Sequence, residues 1–243
     1  PIALCCSCHG ILDLTDAQKT QLADDWCYAK AIEQLPPEYL HGVAEKPDEH
    51  GALGRNRLRY SHAVWQRSLY RLMDVALAAQ RADALDYWIS SVAYAFQYQN
   101  PEGTFAFQMP ADAAGDVSRS PLASDLASAR VLFAASLGLS LHAFRQSDWA
   151  REQSVVFERI KALDTSISRL YTVMLNDTEL LLESDSDYAN RLFYNALAYY
   201  SLGTYLEHPT ADSLGSLFLN AALEMQDKNG YFEEKQGWDS SYN

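Results

Sequence analysis

Residues 226–243 read Q-D-K-N-G-Y-F-E-E-K-Q-G-W-D-S-S-Y-N, and their reading decides the fold. They carry the end of one helix, a glycine turn, an aromatic and acidic loop, and the start of another helix. Both halves recur upstream. Residues 99–105, Q-N-P-E-G-T-F, repeat the Q-x-x-x-G-x-F pattern that runs from Gln226 to Phe232. Residues 185–188, D-S-D-Y, repeat the D-S-x-Y pattern that runs from Asp239 to Tyr242. A chain that reuses its turns and helix starts is built from one helical unit used several times. In the turn, Gly103 and Gly230 supply positive φ at a helix end. The glutamines bond backbone groups left unpaired there, and Phe105 and Phe232 cover the junction.

Working outward, apolar residues at helical spacing predict a helix over 58–79. A second runs from Asp83 to Gln99 with Tyr87, Trp88, Tyr94, Phe96 and Tyr98 along it. Residues 106–120 form a long loop, and Pro121 stands at the first position of the next helix, which ends near Phe144. Asp148 caps a stretch reaching Leu182, with breaks near Asp164 and Asn176. Ser186 or Asp187 opens a helix to Leu206 that is apolar almost all round and is expected to be buried. His208-Pro209 ends it, and 212–225 is the last helix. Nearer the start, Thr15-Asp16-Ala17-Gln18 resembles a capping box for a helix over 15–34, followed by a loop over 37–56. No segment alternates as a strand does. The chain divides into an N-terminal segment, 1–56, and a helical domain, 57–243, that stops where a further helix would begin.

Polar helix starts fall at His62, Asp125, Asp187 and Asp239, on alternate helices. Each interval holds two helices, one antiparallel hairpin. Repeated hairpins bury their apolar faces by stacking or by closing into a ring. The capped starts then gather at one end of an inner wall, the natural place for a site.

Nineteen basic against thirty-two acidic side chains give a net charge of −13. Such a surface repels phosphate backbones and anionic lipid, so nucleic acid is excluded as a partner class. Locally, Arg55, Arg57, Arg59, Arg67 and Arg71 make a basic concentration in this acidic chain. It is either a solvated helix face or a site for an anionic ligand, because guanidinium binds carboxylate in bidentate fashion. Fifteen Tyr and five Trp serve the core or line a groove, since flat rings stack on sugars. No apolar run is long enough to span a bilayer.

Cys5-Cys6-Ser7-Cys8-His9 contains C-x-x-C-H, the c-type haem attachment pattern, with Cys5 and Cys8 as thioether donors and His9 as axial ligand. Zinc binding with Cys27, a disulfide, or the remnant of an export signal are the other readings. With Pro1-Ile-Ala-Leu ahead of the cysteines, a secreted or periplasmic location is the expectation, with a lipid anchor as a variant that Leu4 fits poorly.

Helical hairpins ending in Q-x-x-x-G-x-F, followed by an acidic, aromatic loop and a D-x-S-Y helix start, resemble the (α/α) toroids of carbohydrate-active enzymes. The resemblance covers 57–243. It implies an all-α fold of repeated antiparallel hairpins, an incomplete (α/α) toroid or barrel, in a polysaccharide lyase or a glycoside hydrolase. The same turn occurs in terpene cyclases, whose D-x-D-D acid motif is lacking here. A lyase on a uronic-acid polysaccharide must remove the proton α to the carboxylate and neutralise that carboxylate. Tyr60 and His62, or Tyr242, are the candidate bases, and Arg57 and Arg59 the neutralisers. A hydrolase needs a carboxylate pair, for which Glu234 with Asp239, or Asp125 with Asp239, are candidates. Trp238, Glu233, Asp125 and Asp187 complete the expected substrate-binding set. The resemblance implies no cofactor; the partner is a polysaccharide or oligosaccharide. A non-catalytic glycan-binding or scaffold protein and a haem protein are the rival classes.

Overall fold

The structure, a computed structural model, describes residues 46–48, 51–53, 66, 68–105 and 127–232 of the chain. Among these residues the fold is all-helical: α1 (Leu69–Ala78), α2 (Ala82–Gln97), α3 (Ala127–Gln146), α4 (Asp148–Arg151), α5 (Ser154–Lys161), α6 (Asp164–Asn176), α7 (Thr178–Ser184), α8 (Ala189–Tyr205) and α9 (Ala211–Glu224). Among the described residues, extended backbone pairs at isolated bridges, Gln99 with Phe105 and Gln226 with Phe232.

Apolar periodicity explains most of these elements. In α1, Leu69, Leu72, Met73, Val75 and Ala76 make the buried stripe expected of i, i+3, i+4 spacing. In α2 the stripe is Ala84, Leu85, Trp88, Ile89, Val92, Ala95 and Phe96. α1 folds back into α2 through a three-residue link. Gln80 takes a left-handed conformation (φ 48°), and the Arg81 N–H donates to the Ala76 carbonyl at 2.9 Å. The same device joins α8 to α9, with Glu207 at φ 55° and the His208 N–H on the Gly203 carbonyl at 2.8 Å.

α3 packs against both α1 and α8. Val131, Phe133, Ala134, Ala135, Leu137, Leu141 and Phe144 are all buried on it. It is the enclosed helix, a place the sequence had suggested for the helix ending at Leu206. α8 instead leaves Tyr194 and Arg191 exposed. α3 and α8 run parallel: Gly138 lies against Ser201 and Leu202, and Arg145 Nη1 donates to the Tyr205 carbonyl at 2.9 Å. α2 runs against α3, with Phe96 beside Phe133 and Trp88 stacked on Phe144. α9 runs against α8, with Tyr199 stacked on Phe218 and Tyr200 Oη 2.6 Å from Ser216 Oγ.

The expected interruptions of 148–182 are present, after Lys161 and after Asn176, with a further one at Glu152-Gln153. The capping residues differ from expectation. Ser147, not Asp148, caps α4, its Oγ accepting from the Ala150 N–H at 3.2 Å. Asp83 lies in the first turn of α2 and pairs with Arg81 at the surface.

The glycine turn occurs three times among the described residues, once more than the sequence pattern shows. In 99–105 the Asn100 N–H donates to Thr104 O (2.7 Å) and the Gly103 N–H to Asn100 O (2.9 Å), with Gly103 at φ 104°. In 226–232 the Asp227 N–H donates to Tyr231 O (2.7 Å) and the Gly230 N–H to Asp227 O (3.0 Å), with φ 89°. Asp48 and Gly51 repeat both bonds at 3.0 Å, with φ 91°. There Pro47 and Leu53 stand where the other copies have Gln and Phe. Gln99 and Gln226 donate to their own glycine carbonyls at 3.3 and 2.9 Å. In the first copy a distant glutamine serves instead: Gln66 both donates to and accepts from the Leu53 backbone, at 3.1 and 3.0 Å.

At the far end of α8, Tyr205 ties three elements together. Its hydroxyl donates to Asp164 at 2.9 Å, and the Arg145 guanidinium lies 3.9 Å above its ring. Burial, and then the hydrogen bond to the Asp164 carboxylate, push this phenol up to about 12. An unfolded tyrosine loses its proton near pH ~10. The raised folded value means that stability is intact below that pH and is lost as pH rises towards about 12. Denaturant midpoints measured across this window should fall, and Tyr205→Phe should fall less.

Candidate functional site

Among the described residues, the start of α8 gathers the groups best suited to bind a polar ligand. α7 ends at Ser184, and a turn through Asp185, Ser186 and Asp187 leads to Tyr188, which precedes the first residue of α8. The Tyr188 N–H donates to the Asp185 carbonyl at 2.9 Å, which closes the turn. The turn sends Asp185 inward, where it is 1% exposed, and leaves Asp187 in solvent.

The Asp185 carboxylate is held from three directions. Asn195 Nδ2 donates to Oδ2 at 2.8 Å, Arg191 Nη1 lies 3.4 Å from Oδ1, and Ser184 Oγ lies 3.4 Å from Oδ1. Tyr188, Arg191 and Asn195 stand three and four residues apart, so they share one face of α8. The Arg191 guanidinium sits 4.1 Å above the Tyr188 ring, a cation–π contact that orients both. Asn195 is fully buried, yet its Oδ1 has no hydrogen-bond partner among the described residues, and neither has Oδ1 of Asn190. An unsatisfied buried acceptor costs about 1–3 kcal/mol. The Asn195 acceptor, beside the buried Asp185 carboxylate, marks a place where polarity exceeds what folding needs.

A second polar group lies between α3, α6, α7 and α8. Arg130, 4% exposed, pairs with Asp177 at the junction of α6 and α7. Next to it, Thr178 Oγ1 is 2.9 Å from Tyr199 Oη, and that hydroxyl donates to the Met174 carbonyl at 2.5 Å. Burial raises the Tyr199 phenol far above its ordinary value. Its hydrogen bonds stay within the fold, and its chemistry is that of a structural tie.

Of the site residues expected from sequence, Asp187 is exposed on the turn, and the inward role falls to Asp185. The repeat held that signal: aligning D-S-D-Y with D-S-S-Y places Asp185, not Asp187, opposite Asp239. Asn195, Tyr188 and Arg191 were not singled out; their i, i+3, i+7 spacing behind the same aspartate is the cue that finds them. Arg57, Arg59, Tyr60, His62, Asp125, Glu233, Glu234, Trp238, Asp239 and Tyr242 lie outside the described residues, as do Cys5, Cys8, His9 and Cys27. Arg71, from the basic concentration, is exposed on α1, its Nε donating to Tyr70 Oη at 3.2 Å.

Within the described residues, no three or more His, Cys, Asp or Glu side chains are placed to hold a metal ion. No helix there is long and apolar enough to cross a membrane. Compared with protein-family models, curated proteins and solved structures, the chain matches none.

Proposed function

We propose that the helices are part of an (α/α) toroid and that the protein cleaves a uronic-acid-containing polysaccharide by β-elimination. Support for the toroid comes from the packing order. Parallel α3 and α8 form the inner wall together with α1; α2 and α9 fold back antiparallel outside it, and α4–α7 make the outer layer between them.

Support for the chemistry comes from one observation, the Tyr188–Arg191–Asn195 face held by the buried Asp185 at the start of an inner helix. Elimination needs a base for the proton α to the uronate carboxylate; the Tyr188 hydroxyl is of the type that serves. It also needs a cationic donor to stabilise the charge that develops on that carboxylate, the role of Arg191. Asp185 touches none of the reacting atoms. Its part is to fix the Arg191 and Asn195 side chains, a positioning role.

The test is incubation with alginate, pectate and chondroitin-type polymers. The unsaturated uronate product is followed by its ultraviolet absorbance, and reducing ends are counted in parallel. Tyr188→Phe should lower turnover about a hundredfold or more with little change in substrate affinity. Reducing ends without the absorbance would mean hydrolysis, and binding with neither signal would leave only a glycan-binding module; either result rejects the elimination.

A further inference from the structure

The neighbours of α8 fix which way each of its sides faces. Asn195 and Tyr199 turn towards α6 and α7, where Asn195 Nδ2 holds Asp185 and Tyr199 Oη donates to the Met174 carbonyl. Phe193 and Tyr200 turn towards Phe232 and towards Ser216 of α9. Ser201 and Leu202 lie against Gly138 of α3. With about 3.6 residues per turn, Tyr194, Leu197 and Ser201 form one strip, next to α3 and away from α6, α7 and α9.

Tyr194 is set apart from the tyrosines around it. Tyr171 and Tyr199 are buried, and Tyr70, Tyr200 and Tyr205 each have a polar partner at the hydroxyl, Arg71, Ser216 and Asp164. Tyr194 is 44% exposed and, among the described residues, has no hydrogen-bond, ion-pair or ring partner. Three residues before it, the Arg191 side chain is 45% exposed. Its guanidinium lies over the Tyr188 ring and reaches Asp185 through Nη1 at 3.4 Å. Nε and Nη2 have no acceptor among the described residues, so they remain for a second carboxylate. A helical side chain leans over the turn before its own Cα, which carries the Tyr194 ring towards Arg191. The two Cα positions are about 4.5 Å apart along the helix axis, a step comparable with one pyranose unit.

We propose that Tyr194 is a stacking platform for the sugar next to the one whose carboxylate Arg191 holds, so that the pair selects a chain of uronates over a single one. The inference rests on the uronate-polymer reading above and adds to it the residue that senses chain length. A pyranose turns a face of C–H bonds, weakly positive, to its surroundings, and the face of a phenol ring is weakly negative. That contact uses no charge, so salt leaves it in place while it weakens the hold of Arg191.

The experiment titrates galacturonate and mannuronate, each as the single sugar and as the three-sugar chain, into the Tyr188→Phe protein, which leaves the chains uncut; turnover is measured in parallel with Tyr188 intact. Adding Tyr194→Ala should raise the Kd and the KM of the three-sugar chains roughly tenfold, with kcat and the single-sugar affinity little changed. Tyr194→Phe should restore binding, since the hydroxyl has no part in the contact. In Tyr194→Trp the added indole should shift its emission when the three-sugar chain is bound. Unchanged three-sugar binding in Tyr194→Ala, an equal loss for one and three sugars, a Tyr194→Phe protein as weak as Tyr194→Ala, or no binding of any of these sugars would each overturn the platform. Length-dependent loss of binding in a protein that forms no unsaturated product would keep the platform and reject the elimination. Elimination that is indifferent to Tyr194 would do the reverse.

Discussion

Gly103→Ala should destabilise the protein by about 3–5 kcal/mol, while Gly230→Ala, the same change in the same motif, should cost only about 1–2 kcal/mol. Both glycines hold positive φ, 104° and 89°, so both substitutions carry the strain of a left-handed backbone. Among the described residues, only at Gly103 of the two does the new methyl run into backbone, the carbonyl of Arg169 in α6, which cannot swing aside as a long side chain can. The turn would have to lift off α6. That would break the 3.0 Å bond from Gln99 to Ser166 and disturb the Phe96, Phe105 and Phe133 cluster, whose centroids lie 5.5–6.0 Å apart. Urea unfolding of the two variants beside the parent chain measures the difference directly. Equal losses would mean that φ strain alone matters and that the turn-on-helix contact contributes nothing.

Asn195→Leu should cost about 3 kcal/mol or more, although it replaces a polar residue in a buried place by an apolar one of similar size. Asn195 gives the Asp185 carboxylate its best hydrogen bond, at 2.8 Å, and what remains are two contacts at 3.4 Å. A carboxylate that is 1% exposed and loses its main donor keeps its desolvation cost and little else. Replacing both partners, Asp185→Leu with Asn195→Leu, should recover part of the loss, because no charge is then left inside. A double variant less stable than Asn195→Leu alone would show that the charge itself supports the fold. Circular dichroism at matched temperatures would confirm that each variant is still helical.

The sequence was most informative where local chemistry and tertiary role coincide. Gly103 and Gly230 are visible as turn glycines because positive φ selects glycine whatever surrounds it, and the breaks after Lys161 and Asn176 follow local interruptions of the apolar pattern. It was least informative where a distant residue does the local work. The turn at Asp48–Leu53 lacks the glutamine signature because Gln66, thirteen residues beyond Leu53, supplies the bonds. The links at Gln80 and Glu207 adopt a conformation that favours glycine, held there by the helices they join, and nothing in their side chains announces it. At the candidate site the register differs from the expected one: α8 begins at Ala189 behind Tyr188, one residue later than a capping Asp187 suggests, and the turn before it leaves Asp187 outward and Asp185 inward. The burial of α3 was hidden for a related reason: Arg130, Ser136 and Ser140 interrupt its apolar run, yet the first is ion-paired and the Ser140 hydroxyl is satisfied by a carbonyl of its own helix.

The parallel course of α3 and α8 has an electrostatic consequence. Peptide dipoles in neighbouring helices that point the same way add, so the end where both begin carries the positive poles together. On a molecule of net charge −13, most of the surface turns a polyanion away. At that end, with Arg191 beside it, the helix poles offset part of that repulsion, an effect larger in dilute salt than in concentrated salt.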